Sequence, residues 1–249
     1  MKRWPGERAA AVSIALAALV FAATRLVLSG ANVAASGHGQ KKAAAQARFV
    51  PDRAKLKILL DGQAVGSEEF EIGASGDAWM AKGFTELRLP DGGNARVSAT
   101  LQLRGDGSPK SYEWTSQGAK KNGARIAFEG GVAKIQLEME GAKPFQQELT
   151  FGTPMVAVLD NNLYHHYEIL ARVYDWNKKG AQTFPVLIPQ DLTPGSITAE
   201  ATGSQAVDGK SYEGLRVATS DLEVLLYLDS NHLLMRLEVP ASRVSVVRE

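Results

Sequence analysis

The chain has 249 residues, enough for one large domain, with 28 basic and 27 acidic side chains. It has no cysteine, which excludes disulfides, thiolate metal sites, a cysteine nucleophile and a lipid-modified N-terminal cysteine. The near balance of charge leaves no strong basic field for a nucleic acid.

Lys2, Arg3 and Arg8 precede an apolar run over residues 9–24, and Val33-Ala34-Ala35 offers small residues for cleavage before Ser36. This is the pattern of an export signal over residues 1–35. Arg25 interrupts the apolar region, so an uncleaved N-terminal anchor stands as the alternative and is the one route to a membrane. Without that segment the chain keeps 24 basic and 26 acidic residues, a formal charge of −2. Residues 36–53, rich in Gly, Ala and Lys, read as a tether before a single β-rich domain over 54–249.

From residue 54 onward apolar and polar residues alternate. Leu56, Ile58 and Leu60 give way to the turn Asp61-Gly62, and Phe70 and Ile72 alternate with Glu69 and Glu71. Residues 79–89, the row Val97, Ala99, Leu101 and Leu103, and the pair Tyr112 and Trp114 continue the pattern, separated by glycine-rich turns. Asn122-Gly123 reads as a type I′ hairpin turn. Ile126 and Phe128, then Ile135, Leu137 and Met139, then residues 145–151 complete about eight strands. Short connections and period-two alternation predict an antiparallel meander, curved or closed to limit its exposed edges. Pairs such as Glu68 and Glu69 read as solvated strand positions.

Residues 160–176 predict a helix. Leu163, Tyr167, Leu170 and Tyr174 fall on one stripe, which Ile169, Val173 and His166 widen. His165, Glu168 and Arg172 fall on the polar face, where replacing Arg172 by Ala is expected to cost little. Asp160, Asn161 and Asn162 are competent N-caps, Lys178 and Lys179 suit the C-terminal end, and Gly180 suits the C′ position. Thr153 and Pro154 allow a separate turn of helix before it.

After the helix come a short apolar run, Phe184-Pro185-Val186-Leu187, a strand at Ile197, Ala199 and Ala201, and a hairpin at Asp208-Gly209. In the last two long strands, Leu222, Val224, Leu226 and Leu228 share one face, and Leu233, Met235, Leu237 and Val239 its counterpart. The other face holds Leu225, Tyr227 and Leu234, which fill either a second packed layer or a cavity wall.

Motifs for catalysis are missing. The adjacent His165 and His166 diverge on a helix, so a zinc site is not expected, and no H-E-x-x-H, G-x-S-x-G, P-loop or dinucleotide fingerprint occurs. No catalytic residue, metal or cofactor is assigned. A carboxylate dyad can be distant in sequence, so an exported hydrolase stays as a third reading.

The stretch Leu159-Asp160-Asn161-Asn162, the helix bearing His165, and Phe184-Pro185-Val186-Leu187, within a run of strands behind an export signal, resemble in arrangement the LolA and LolB lipoprotein carriers of the periplasm. The same arrangement is similar to uncharacterised secreted bacterial β-proteins in which a helix interrupts the strands. The resemblance implies a mainly β fold: an antiparallel curved sheet or half-open, clam-like barrel with one central amphipathic helix. It also implies an exported, non-catalytic carrier of a lipid or other apolar molecule. Tyr164, His165, Tyr167, Leu225, Tyr227 and Leu234 are the candidate ligand-binding residues, with His165 at the rim. The second reading is an envelope protein that pairs with a protein partner through its sheet edges.

Overall fold

The computed structural model describes residues 49–88, 92–118, 121–178 and 180–249. The expected export signal over 1–35 and most of the expected tether lie outside these residues. The fold is mainly β, with a single α-helix among the described residues. Eight strands form the first half: β1 (Asp52–Leu60), β2 (Gln63–Ser75), β3 (Ala78–Arg88), β4 (Asn94–Leu103), β5 (Pro109–Gln117), β6 (Lys121–Glu129), β7 (Val132–Met139) and β8 (Phe145–Thr150). A two-residue β9 (Ala157–Val158) precedes helix α1 (His165–Val173). Then follow β10 (Gln182–Ile188), β11 (Thr193–Val207), β12 (Lys210–Ala218), β13 (Glu223–Leu228), β14 (Leu234–Val239) and β15 (Val244–Arg248).

All fifteen strands belong to one sheet, ordered β8-β7-β6-β5-β4-β3-β2-β1-β15-β14-β13-β12-β11-β10-β9. The last strand pairs with the first, so two meanders are joined back to back, and among the described strands only β9 and β10 pair in parallel. Period-two alternation sends Leu56, Ile58, Phe70, Ile72, Leu101, Ile126 and Ile135 inward, while charged residues line the outer face. Such a long sheet curls because every strand twists. The curl brings the 3₁₀ turn Pro189–Asp191, which follows β10, against β6. The sheet remains unclosed: β7 and β8 run past this seam as an overhang.

Several local expectations change. Asn122-Gly123 is not a turn but lies inside β6, opposite Ser116 and Thr115 on one side and Met139 and Glu138 on the other. The fold begins before the expected boundary, since Phe49 is buried and β1 starts at Asp52. In β14 the pairing passes from Leu228 with Leu234 to Tyr227 with Arg236, which leaves Met235 as the extra residue of a bulge. The bulge puts Leu234, Leu237 and Val239 on the inner face, rather than Leu233 and Met235 with the latter two.

The helix departs furthest. It spans nine residues rather than 160–176, and all residues from His165 to Arg172 are buried. The expected exposed polar face does not exist, because Glu68 of β2, Leu234 of β14 and Val50 before β1 meet His165, Glu168 and Arg172 in the interior. Leu170 is buried as expected, at 1% exposure. The N-terminus is not capped by Asp160, Asn161 or Asn162. Asn162 takes the left-handed conformation (φ 61°), and the cap comes from β2. At the other end Tyr174 leaves the helix (ψ 135°), well before Gly180.

Candidate functional site

Two features stand out: the seat of the helix and the free edge of the sheet. In the seat, Glu68 points inward from β2 with no exposed surface, contrary to the solvated position expected for it. Its Oε2 accepts the amides of Tyr164 (2.8 Å) and His165 (3.3 Å), and its Oε1 takes His165 Nδ1 at 2.5 Å. A carboxylate from a distant strand thus does the work of an N-cap and meets the positive end of the helix dipole. His165 stacks on Phe70 at 5.4 Å and lies against Gly83. A Cβ at Gly83 would stand 2.4 Å from His165 Cε1, so this position admits no side chain. Thr85 Oγ1 donates to the Asn162 carbonyl at 2.6 Å and fixes the approach to the helix.

The second anchor lies one turn on. Glu168, also without exposed surface, pairs with Arg172 and accepts the Leu234 amide at 2.8 Å. Arg248 approaches the same carboxylate at 3.5 Å and pairs with Asp52. Arg172 reaches back to the Val50 carbonyl at 2.5 Å. Burial pushes the Glu168 carboxyl up to about 7, against the opposing pull of Arg172.

The seam is closed by side chains instead of a strand ladder. Asp160 accepts the Tyr112 hydroxyl of β5 at 2.5 Å and the amides of Asn161 and Gln190 at 3.0 and 2.9 Å. Asn161 Nδ2 donates to Asp191 at 2.8 Å, and Gln190 Nε2 donates to the Asn161 carbonyl at 2.8 Å. The Asp160 amide donates to His166 Nδ1 at 3.1 Å, which puts the proton of a neutral His166 ring on Nε2. Burial raises Tyr112 and lowers His166, which holds both neutral, and it drives Asp160 up to about 6 against the pull of the hydrogen bonds from Tyr112, Gln190 and Asn161.

A glutamate holding a histidine is half of a triad, but here the pair is sealed. His165 and Glu68 have no exposed surface, and a general base must come within hydrogen-bond reach of a substrate proton. The pair positions the helix. The cavity beside the helix, bordered by Leu101, Met155, Val158, His166, Leu170 and Phe184, offers about 20 Å³ to a water-sized sphere. That is room for about one water molecule.

The six residues expected to bind a ligand do not form one site. Tyr164, His165, Tyr167 and Leu234 gather around the helix, with His165 fully buried instead of at a rim and Leu234 buried as well. Leu225 and Tyr227 are on the outer face, opposite Val224, Leu226 and Leu228; Tyr227 donates to Glu238 at 3.2 Å and meets Tyr212 edge-on. The bulge separates Leu234 from them by placing it on the inner face.

Among the described residues the free edge of the sheet is β8. Phe151 donates to the Gly131 carbonyl at 2.7 Å, which sets the parity of the β7–β8 ladder. Phe145, Gln147 and Leu149 therefore bond to β7, and the backbone groups of Gln146, Glu148 and Thr150 point to the open side. The concave face here is incompletely covered: Phe145 and Met139 are 46% and 42% exposed. At the other end the two-residue β9 covers Val186 and Leu187 of β10, which leaves as edge only the short start of β10, a stretch that contains Pro185.

No family model matches the chain, and no curated protein does. Among solved structures, the chain is similar to a β-barrel-like protein of a domain of unknown function, DUF1849, from Brucella abortus. The match has a TM-score of 0.55 and 14% identity, over 82% of this chain and 97% of that one. A DUF1089 family protein from Pseudomonas aeruginosa matches at a TM-score of 0.44 and 9% identity, over 70% of this chain and 90% of that one. The first likeness shows a barrel-like fold. The resemblance to LolA and LolB carriers rests on arrangement alone.

Proposed function

We propose that this chain is a non-catalytic binding protein of the bacterial cell envelope that receives an extended polypeptide at the β8 edge. A barrel-like fold is compatible with binding. The observation that carries the reading is the pairing of an occupied interior with an open edge. The helix fills the space inside the sheet, and the cavity beside it is about 20 Å³, whereas ligand pockets commonly span about 300–1,000 Å³. At β8, three residues turn their backbone groups outward beside exposed Phe145 and Met139. An added strand with apolar residues at alternate positions would satisfy those groups and cover Phe145. Export is the reading of residues 1–35, and N-terminal sequencing of native protein is the check: a chain beginning near Ser36 supports it, and a cytoplasmic pool beginning at Met1 contradicts it.

A photo-cross-linking residue at Gln146 or Glu148 tests the edge, with Ser98 on the outer face as control. Adducts to a polypeptide at the edge positions alone are expected. Equal labelling at Ser98, or none at either place, contradicts the reading. The carrier alternative requires an acyl chain to displace α1, and saturable binding of a fluorescent fatty acid by the native protein would restore it.

A further inference from the structure

The geometry points to a second copy of this chain as the partner at β8, joined antiparallel about a twofold axis at Gln147. The inference rests on the edge reading above. Only Gln146, Glu148 and Thr150 turn backbone groups outward, so only they can form hydrogen-bonded pairs across the edge. That restricts the registers to a few.

An axis at Glu148 sets Glu148 against its own copy, and like charges directly opposite are unfavourable. An axis at Gln146 sets Pro144, which has no amide proton, in a position that needs a donor. An axis at Leu149 leaves Phe145, the most exposed large apolar side chain, without a neighbour. The axis at Gln147 avoids the first and the third, and it moves Pro144 to the end of the ladder opposite Thr150 of the other copy, outside the two full pairs. It pairs Gln146 with Glu148 of the other copy twice over, amide against carboxylate, and gives four backbone hydrogen bonds. It also sets Phe145 against Leu149 of the other copy on the concave face. Each Glu148 keeps Lys134 of its own β7 opposite it in the ladder.

The rest of the sheet explains why such pairing stops at two. A chain with two free edges would add copies without end. Here the far edge is the two-residue β9 and the short, proline-containing start of β10, so a twofold β8 contact closes on itself and leaves no second long edge to extend. Glu148 in the middle of the edge also works against indiscriminate strand addition.

The absence of cysteine makes the test clean. Gln147 faces its own copy in a non-hydrogen-bonded pair, whose Cα atoms are about 4.5 Å apart, within the span of a disulfide. Gln147→Cys carries the sole thiol. Under mild oxidation at micromolar concentration it should give a covalent dimer, while Gln146→Cys and the outer-face control Ser98→Cys stay largely monomeric. In sedimentation velocity the wild-type chain should dimerise and Glu148→Pro should not, because proline removes an outward donor while sparing the β7 ladder. Cross-linking of Gln147→Cys no faster than Ser98→Cys, or a wild-type chain that stays monomeric, overturns the second copy. If the photo-cross-linkers at Gln146 and Glu148 then capture a different polypeptide, the edge reading survives without it. If they capture none, both fail.

Discussion

The two ends of the sheet are finished in opposite ways. The β10 end is tied down by side chains: Asp160 joins Tyr112 of β5 to the Gln190 amide, and α1 sits beneath with its polar residues in buried pairs. Among the described residues the β8 end has no such tie, and its outward amides and the exposed Phe145 and Met139 are left over. Twist alone would curl both ends alike. The difference lies in the loop and helix between β9 and β10, which supply closing groups to one end. In this fold the polar residues make the closure, and the place without them is where a partner can add.

The contrast is broken most severely at the helix. Leu170→Ala should cost roughly 2–5 kcal/mol, as for other buried leucines. Arg172→Ala strips a partner from fully buried Glu168 and should cost about 3–5 kcal/mol. The two should therefore show similar losses in urea midpoint, where an exposed helix face would leave Arg172→Ala almost silent. Gly83→Ala forces a Cβ into the His165 ring, and an overpacking cost of about 1–3 kcal/mol is expected in the same measurement.

A smaller effect comes from pH. Glu168 and Asp160 have carboxyls raised to about 7 and about 6, so the stability they contribute is full below their unfolded values and is lost as pH rises through those two figures. His166 is lowered, so its contribution is present above its unfolded value and lost as pH falls. Between about pH 8 and 6.5 the carboxyls act with little opposition, and stability should rise by on the order of 1 kcal/mol as pH falls. Glu168→Gln should remove most of that slope. A slope of the opposite sign would contradict the buried, raised state of Glu168. Smallest of all, Glu148→Pro at the free edge should change stability by no more than about 0.5 kcal/mol.

Much of this contrast was legible in the sequence, and the rest was hidden for physical reasons. Alternation located the strands of both meanders, and Asp61-Gly62 and Asp208-Gly209 marked real turns, each with both residues at positive φ. Asn122-Gly123 misled because hairpin propensity is local, and the pairing of β6 with strands on both sides overrides it. The helix stripe predicted Leu170 correctly. Its polar face failed because periodicity cannot say whether a charge meets water or a buried partner 66 to 97 residues away in sequence, as Leu234 and Glu68 are. Gly83 carries no periodic signal at all, and its role appears only once His165 is in place. The bulge at Met235 swaps the faces of Leu233, Leu234 and Met235 while Leu237 and Val239 keep theirs, which no count of apolar positions anticipates.

Residue-resolved hydrogen exchange by NMR tests the central claim, a locked interior beside an open edge, most directly. The amides within α1 should exchange only with global unfolding, while those of Gln146, Glu148 and Thr150 should exchange fast in dilute protein and slow when a partner strand is added. Fast exchange within the helix under native conditions, with β8 protected in the isolated chain, would contradict it.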